Sequence, residues 1–145
     1  MGQCHLSIIC LLGSVLGHSV EVLIDGGSTY NFLQERVALH LGIPIVKSHN
    51  FTIMIGNGDT LQCSGLCSTV TLDLGGHRFP VDFFVLPIRG ADMVLGAQWL
   101  STLGPVLMDY KKLTLTFAWN GQTVTLLGCQ PITIEPIHLH QLECY

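Results

Sequence analysis

The sequence contains few charged residues. Only 11% of its 145 residues are charged, six of them are basic, and the formal net charge is −4. An ordinary soluble domain has roughly 25% charged residues. Six basic residues make no positive patch of the kind that attracts nucleic acid or an anionic membrane, so we expect neither as a ligand. Since 48% of the chain is hydrophobic, we expect either an all-β core with little polar surface or a large subunit interface.

Long apolar runs and a dense set of cysteines are also missing. No apolar run reaches the roughly 18 residues that cross a bilayer. The stretch from Leu6 to Gly17 is apolar enough for a signal peptide, but the first basic residue is Arg36, so we interpret the stretch as a strand. Six cysteines in 145 residues are too sparse for a small disulfide scaffold. We therefore expect free thiols and a cytoplasmic location.

Short strands and glycine-rich turns fill most of the sequence. A first hairpin is predicted from Leu6–Leu12 and Ser19–Ile24, and a last one from Leu113–Leu127 around the Asn-Gly turn at residues 120–121. This pattern predicts a mainly β fold, either a closed barrel or a sandwich.

Two short helices interrupt the strands. The first is predicted from Asn31 to Leu41 with Asn31 as its N-cap, and the second from Ala97 to Leu103. The length fits one domain. We assign it to residues 1–128 and expect residues 129–145 to form a C-terminal linker or edge strand.

One carboxylate has an unusual position. Asp25 ends the apolar run that begins at Val22 and is followed by Gly26, Gly27 and Ser28. Backbone N–H groups and the Ser28 hydroxyl are suited to bind the carboxylate, although Asp before Gly is also ordinary turn chemistry. Two copies of Asp25 facing each other at about 3 Å would share one proton, because both cannot ionise at that distance. Such a pair is a general acid and a general base in one site.

Several segments together resemble one protease family. "VLIDGGSTYNFL", "IMIGNGDTLQCSG", "DFFVLP" and "GADMVLGAQWLSTLGPVLMDY" occur in this order between about residues 15 and 128. They resemble the retropepsin-like aspartic protease of plant gypsy-type LTR retrotransposon polyproteins. The resemblance implies a closed acid-protease β-barrel with two short helices and one lobe per chain.

The resemblance also implies roles for individual residues. Asp25 would be the catalytic aspartate in an active-site loop, with Ser28 binding its carboxylate. A strand beneath that loop would support it, and a mobile flap would cover the bound peptide. The loop continues through Gly26, Gly27, Ser28 and Thr29; the flap comprises Ile55, Gly56, Asn57, Gly58 and Asp59; the supporting strand comprises Val94, Leu95 and Gly96.

With one such motif per chain, the resemblance implies a homodimeric endopeptidase without a cofactor. Its substrate would be a peptide or the retrotransposon polyprotein that it matures, in the cytoplasmic retroelement particle. The sequence departs from the family where Gly26 replaces the usual Thr or Ser, whose hydroxyl links the two active-site loops. A catalytically weak dimerisation or peptide-binding module is therefore the alternative. Tyr30 also stands where we expect His, with no physical account from the sequence.

Two other candidate sites are weaker. Cys63 and Cys67 lie four residues apart on a predicted strand, hence on one face, and His77 follows. The spacing lacks the turn of a zinc site, so we expect buried thiols and no metal. Residues 26–29 precede a helix but lack the lysine and the spacing of a phosphate-binding loop.

Overall fold

The computed structural model describes residues 8–47, 52–54 and 60–129. Within these ranges, eleven strands and two short helices follow one another along the chain. They are β1 (Ile8–Val15), β2 (His18–Asp25), β3 (Phe32–Gln34), α1 (Glu35–Leu41), β4 (Thr52–Met54), β5 (Thr60–Gln62), β6 (Gly65–Leu74), β7 (His77–Leu86), β8 (Met93–Leu95), α2 (Ala97–Leu100), β9 (Val106–Asp109), β10 (Thr114–Trp119) and β11 (Gln122–Leu127).

Six of the strands close into a barrel in the order β1-β2-β8-β3-β7-β6. Strand β8 lies between β2, to which it is parallel, and β3, to which it is antiparallel. The barrel closes where Ser14 of β1 pairs with Asp73 of β6. Strands β9 to β11 form a separate three-stranded sheet, and β4 and β5 form a two-stranded one. The prediction of a mainly β closed barrel with two short helices is confirmed.

Alternation along the strands divides the apolar side chains into two clusters. In β2, Val22 and Ile24 belong to the large core cluster inside the barrel, whereas Leu23 belongs to a smaller one. Aromatic contacts pack the sheet of β9 to β11 against the core. The centroid of the Phe79 ring lies 6.0 Å from that of Phe117 and 4.8 Å from that of Trp119. Such pairs contribute about 0.5–1.5 kcal/mol each beyond the buried area.

Both predicted hairpins are present, with different bounds for the first. It runs over residues 8–25 and turns at Leu16 and Gly17, whose φ angles are 52° and 81°. The last hairpin turns at Asn120 and Gly121, with φ angles of 51° and 78°. Two successive positive φ angles match the twist of paired strands, which is why Asn-Gly is such a strong hairpin signal.

Both helices are shorter than predicted. Helix α1 begins at Glu35, not at Asn31, and ends with Gly42 in the left-handed conformation. The three residues before it pair with β7 and β8, so sheet hydrogen bonds replace the predicted first helical turn. Helix α2 ends at Leu100. The chain continues to Leu103 as a turn.

No helix among the described residues is long and apolar enough to span a bilayer.

Beyond β11, the Cys129 amide donates to the Cys10 carbonyl at 2.8 Å, so the chain lies against β1 at this point. The predicted linker or edge strand, apart from Cys129, falls outside the described residues.

Candidate active site

The Asp25 carboxyl group is buried at the end of β2. The residue has no exposed surface, and its neighbour across the hairpin is Ile8. Because side chains alternate along a strand, Asp25 lies on the same face as Leu23 and so on the side of the smaller apolar cluster. An acidic group in such surroundings is expensive to ionise unless it has partners.

Only one of the two Asp25 oxygens has a hydrogen-bond partner among the described residues. Oδ1 accepts the Gly27 amide at 3.0 Å, whereas Oδ2 has none. Burial raises the pKa of Asp25 from 3.8 to about 7, and the Gly27 hydrogen bond opposes this rise. A carboxyl group with this pKa both takes up and releases protons near neutral pH, as acid–base catalysis requires.

The start of α2 holds the loop after Asp25 in place. The Ala97 amide donates to the Ser28 carbonyl at 2.7 Å, and the Gln98 amide donates to the Thr29 carbonyl at 3.0 Å. The loop is therefore fixed by the backbone of the segment that follows β8. Val94 and Leu95 continue this support, because they pair directly with residues 23 and 24 of β2. The structure thus brings together the predicted loop and the predicted supporting strand.

Asn31 connects three segments of the site. Its Oδ1 accepts the Gly96 amide at 2.9 Å, and its Nδ2 donates to the Asp82 carbonyl at 3.1 Å. The side chain is buried. The sequence suggested a helix cap instead, because an Asn before a helical pattern is typical of one. Its true partners are 65 and 51 residues away along the chain, so no local signal reveals this role.

Gly96 is required by a close backbone approach. A Cβ atom at this position would lie 2.5 Å from the carbonyl oxygens of both Ser28 and Tyr30. Only glycine lets β8 end this close to the active-site loop. Gly26 differs, since a Cβ there would meet only the Leu100 side chain, at 3.9 Å. The absence of a side chain at Gly26 is therefore not a steric requirement of the subunit.

Ser28 and Tyr30 have contacts that the sequence did not predict. The Ser28 hydroxyl donates to the Tyr30 carbonyl at 2.9 Å, so the expected hydrogen bond from this hydroxyl to the Asp25 carboxylate is wrong. The donor to that carboxylate is the Gly27 amide. The Tyr30 ring packs edge-on against Phe84 with a centroid distance of 5.3 Å, and 44% of the residue is exposed. This contact gives Tyr30 a structural role.

The predicted flap falls outside the described residues. Ile55, Gly56, Asn57, Gly58 and Asp59 all lie there. The strands on either side of them, β4 and β5, pair antiparallel, with Met54 opposite Thr60. Ile53 and Leu61 of these strands pack against the smaller apolar cluster, which also contains Leu23 and Val94.

In the described part of the chain, Cys63 and Cys67 belong to different apolar clusters. No group of three or more His, Cys, Asp or Glu side chains there is arranged to hold a metal ion. Cys63 lies between β5 and β6 and belongs to the smaller cluster, whereas Cys67 lies in the large core. The expectation that these two thiols share a strand face is wrong.

Two solved structures show the fold to which this chain is similar. The retroviral protease-like domain of Ddi1 from Leishmania major superimposes with a TM-score of 0.69 at 16% identity, over 88% of this chain and 98% of that one. A retropepsin-like aspartic protease from Rickettsia conorii gives a TM-score of 0.54 at 15% identity, over 70% of this chain and 84% of that one. At these identities the likeness shows the fold.

The sequence itself matches a protease family. No curated protein matches the chain. The family model of the PEG10/RTL1 protease domain matches residues 21–124, which include Asp25, the loop after it, the supporting strand and most of the last hairpin. This match covers well over half of the 145 residues. The chain is therefore a protease domain with a retropepsin-like fold, and it belongs to the PEG10/RTL1 protease domain family.

Proposed function

We propose that the chain is an aspartic endopeptidase that acts as a homodimer, with one Asp25 from each subunit. The observation that carries this proposal is the state of Asp25: a buried carboxyl group with one oxygen bound by Gly27 and the other without a partner among the described residues. A purely structural aspartate in a turn would use both oxygens or face solvent. A second carboxyl group, or a water held by both, would satisfy Oδ2.

The chemistry follows from the pairing of two such groups. One Asp25 is ionised and takes a proton from a water molecule between the subunits, and that water attacks the scissile carbonyl. The protonated Asp25 of the other subunit donates to the carbonyl oxygen. The first Asp25 then passes its proton to the leaving nitrogen, the other Asp25 takes a proton from a hydroxyl of the intermediate, and the C–N bond breaks to give a carboxylic acid and an amine. The two pKa values of this dyad belong to the pair and not to either residue.

Substrate binding is assigned to the side of the barrel that carries Asp25. Strands β4 and β5 extend from this side, and Ile53 and Leu61 pack on the smaller cluster. In the proposal, residues 55–59 act as the flap, and the peptide binds between flap and barrel as an added strand. The physiological substrate would be the polyprotein of a plant gypsy-type retrotransposon, cleaved in a cytoplasmic retroelement particle.

A peptide-cleavage assay tests the proposal. The full chain and its Asp25→Asn variant are incubated with a peptide library at about pH 5 and pH 7. The expected result is cleavage by the native chain, inhibited by a statine-type transition-state analogue and absent in the variant. Asn keeps the shape and the Gly27 hydrogen bond, so a loss of activity is due to the missing acid–base group. Cleavage by the variant at the native rate would contradict the proposal.

A second function is favoured by Gly26. In the protease family that the sequence resembles, this position carries a Thr or Ser whose hydroxyl links the two loops across the dimer. Gly26 has no hydroxyl. If the loops of the two subunits are not linked well enough to align the two carboxyl groups, the chain would act as a dimerisation or peptide-binding module with little activity. Peptide binding without cleavage, at chain concentrations where dimers predominate, would support this alternative.

A further inference from the structure

Two thiols from opposite ends of the described chain lie in contact. Cys10 in β1 and Cys129 after β11 are 119 residues apart in sequence, yet their Sγ atoms are 3.0 Å apart. The backbone fixes this approach, because the Cys129 amide donates to the Cys10 carbonyl at 2.8 Å. The Cys129 thiol also lies 3.3 Å from that carbonyl oxygen. Both cysteines are reduced in this structure.

The neighbouring segments keep the two sulfurs together. Gly128 packs so tightly against β1 that an added Cβ would lie 2.7 Å from the Ile9 side chain. Its amide also donates to the Leu113 carbonyl, which ties the end of β11 to the start of the last hairpin. The contact between Cys10 and Cys129 is therefore part of the packed structure.

The other two described thiols lack such a contact. Cys63 Sγ lies 3.2 Å from the Gly65 carbonyl oxygen, and Cys67 is completely buried in the large core. Among the described residues, Cys10 and Cys129 form the one thiol pair within hydrogen-bond distance. A disulfide has an S–S length of about 2.05 Å, so the two sulfurs must move together by roughly 1 Å.

We propose that Cys10 and Cys129 are a redox modification site, at which a low-molecular-weight disulfide such as oxidised glutathione forms a reversible intramolecular disulfide. The proposal is independent of proteolysis. The Cys129 sulfur attacks one sulfur of the oxidant, whose S–S bond breaks and releases one glutathione. The Cys10 sulfur then attacks the Cys129 sulfur and releases the second. Two protein thiols are oxidised, the oxidant is reduced to two thiols, and these take up the two protons.

The order of the two steps follows from exposure. Cys129 is partly exposed and so accessible to the oxidant, whereas Cys10 is only 6% exposed. Burial, and then the hydrogen bond with Cys129, raise the pKa of Cys10 to about 12, so Cys10 is the poorer nucleophile for the first step. Cys129 is therefore the attacking residue and Cys10 the resolving one.

The disulfide would fasten the end of the last hairpin to the first barrel strand. A bond between residues so far apart in sequence restricts the unfolded chain strongly. The oxidised form should therefore unfold at a higher urea concentration than the reduced form. Strand β1 also pairs with the end of β2, where Ile8 is opposite Asp25, so the modification is close to the candidate active site.

Mass spectrometry of the full chain tests the proposal. Cys4 and Cys144 are first replaced by Ser, so that the four remaining thiols are those described above. The protein is equilibrated in glutathione buffers of increasing oxidised fraction and quenched with acid, and its mass is measured before and after alkylation. We expect the mass before alkylation to fall by about 2 Da, and two fewer sites to be alkylated. A non-reduced digest should contain one peptide pair joined through residues 10 and 129, which dithiothreitol separates.

Two variants on this background serve as a test and a control. Cys129→Ser should abolish the loss of about 2 Da, whereas Cys63→Ser should keep it. Far-UV circular dichroism shows whether each variant is folded, and the digest of the parent protein is decisive even if one is not. A stable mixed disulfide with glutathione at Cys129, a different cysteine pair in the digest, or four alkylated thiols in the most oxidising buffer would each overturn the proposal.

Discussion

Asn31 Oδ1 accepts the Gly96 amide hydrogen at 2.9 Å, and this bond joins the loop after Asp25 to the end of the strand that supports it. The same side chain donates to the Asp82 carbonyl of β7. A single buried amide therefore connects the loop after Asp25, strand β7 and the segment that leads into α2. The arrangement at Asp25 depends on this connection, because the loop is held by hydrogen bonds from residues distant in sequence.

Replacing Asn31 by Ala should destabilise the fold. The Gly96 amide and the Asp82 carbonyl would lose their partners in a buried region, at a cost of about 1–3 kcal/mol for each unsatisfied group. We expect a decrease of about 2–4 kcal/mol in the free energy of unfolding, measured by urea denaturation. Asn31→Asp is the comparison: it keeps the acceptor for Gly96 but places an acidic oxygen against the Asp82 carbonyl, so its loss of stability should increase with pH. A cost below about 0.5 kcal/mol for the Ala variant would contradict this role.

Gly96→Ala and Gly26→Ala are a matched pair in the same site. The first places a methyl group 2.5 Å from two carbonyl oxygens and must displace the active-site loop, whereas the second meets one side-chain atom at 3.9 Å. We expect the Gly96 variant to lose about 2 kcal/mol or more of unfolding free energy and its peptidase activity. The Gly26 variant should be as stable as the parent or more stable by about 0.4–1 kcal/mol. Equal stability of the two variants, by urea denaturation, would argue against the close approach.

Gly26→Thr should strengthen the dimer. The position has room for a side chain within the subunit. In the family that the sequence resembles, a hydroxyl at this position links the loops of the two subunits. We expect a lower dimer dissociation constant, measured by sedimentation velocity across a range of concentrations. Gly26→Val adds a side chain of similar size without the hydroxyl and serves as the control. An unchanged dissociation constant in the Thr variant would refute the idea that the missing hydroxyl at Gly26 weakens the dimer.

Asp25→Asn should stabilise the subunit in a pH-dependent manner. The pKa of Asp25 is raised to about 7 in the folded state from an ordinary value of 3.8. Its protonated form is therefore favoured by folding, and stability decreases as pH rises from about 4 to about 7. Above that range the native chain bears the cost of a buried charge, up to about 4 kcal/mol, which Asn does not. The urea midpoints of the native chain and of Asp25→Asn should differ more at pH 8 than at pH 4. The same difference at both pH values would exclude a raised pKa of Asp25.

The rate of peptide cleavage should have a bell-shaped pH profile. The proposed dyad is active with one proton, so the rate decreases at low pH, where both carboxyl groups are protonated, and at high pH, where both are ionised. We expect the maximum on the acid side of neutrality. The measurement is kcat/KM for one cleaved peptide from pH 3 to pH 9, at a chain concentration well above the dimer dissociation constant. A rate that rises steadily to pH 9 would rule out the dyad.

Local sequence was sufficient for most of the strands, for the Asn-Gly turn and for the position of Asp25 at the end of β2, but it predicted β3 as part of a helix. Alternating apolar residues and Asn-Gly turns are local signals, because they involve only residues that are adjacent in the sequence. The turn at Asn120 and Gly121 was therefore predicted correctly. The apolar run before Asp25 also predicted β2, because a buried strand needs such residues wherever it packs. The same segments lie within residues 21–124, which the family model of the PEG10/RTL1 protease domain matches.

Tertiary structure alone decided how the site is held together. Asn31 was predicted as a helix cap because its true partners are 65 and 51 residues away, and Ser28 was assigned to the Asp25 carboxylate although its hydroxyl binds the Tyr30 carbonyl. The same holds for the contact of Cys10 with Cys129. These contacts arise from barrel closure and strand pairing, which bring distant residues together and leave no periodic signal around either one. Sequence thus predicted most of the elements and the candidate catalytic group Asp25, and packing determined the partners of the residues around it.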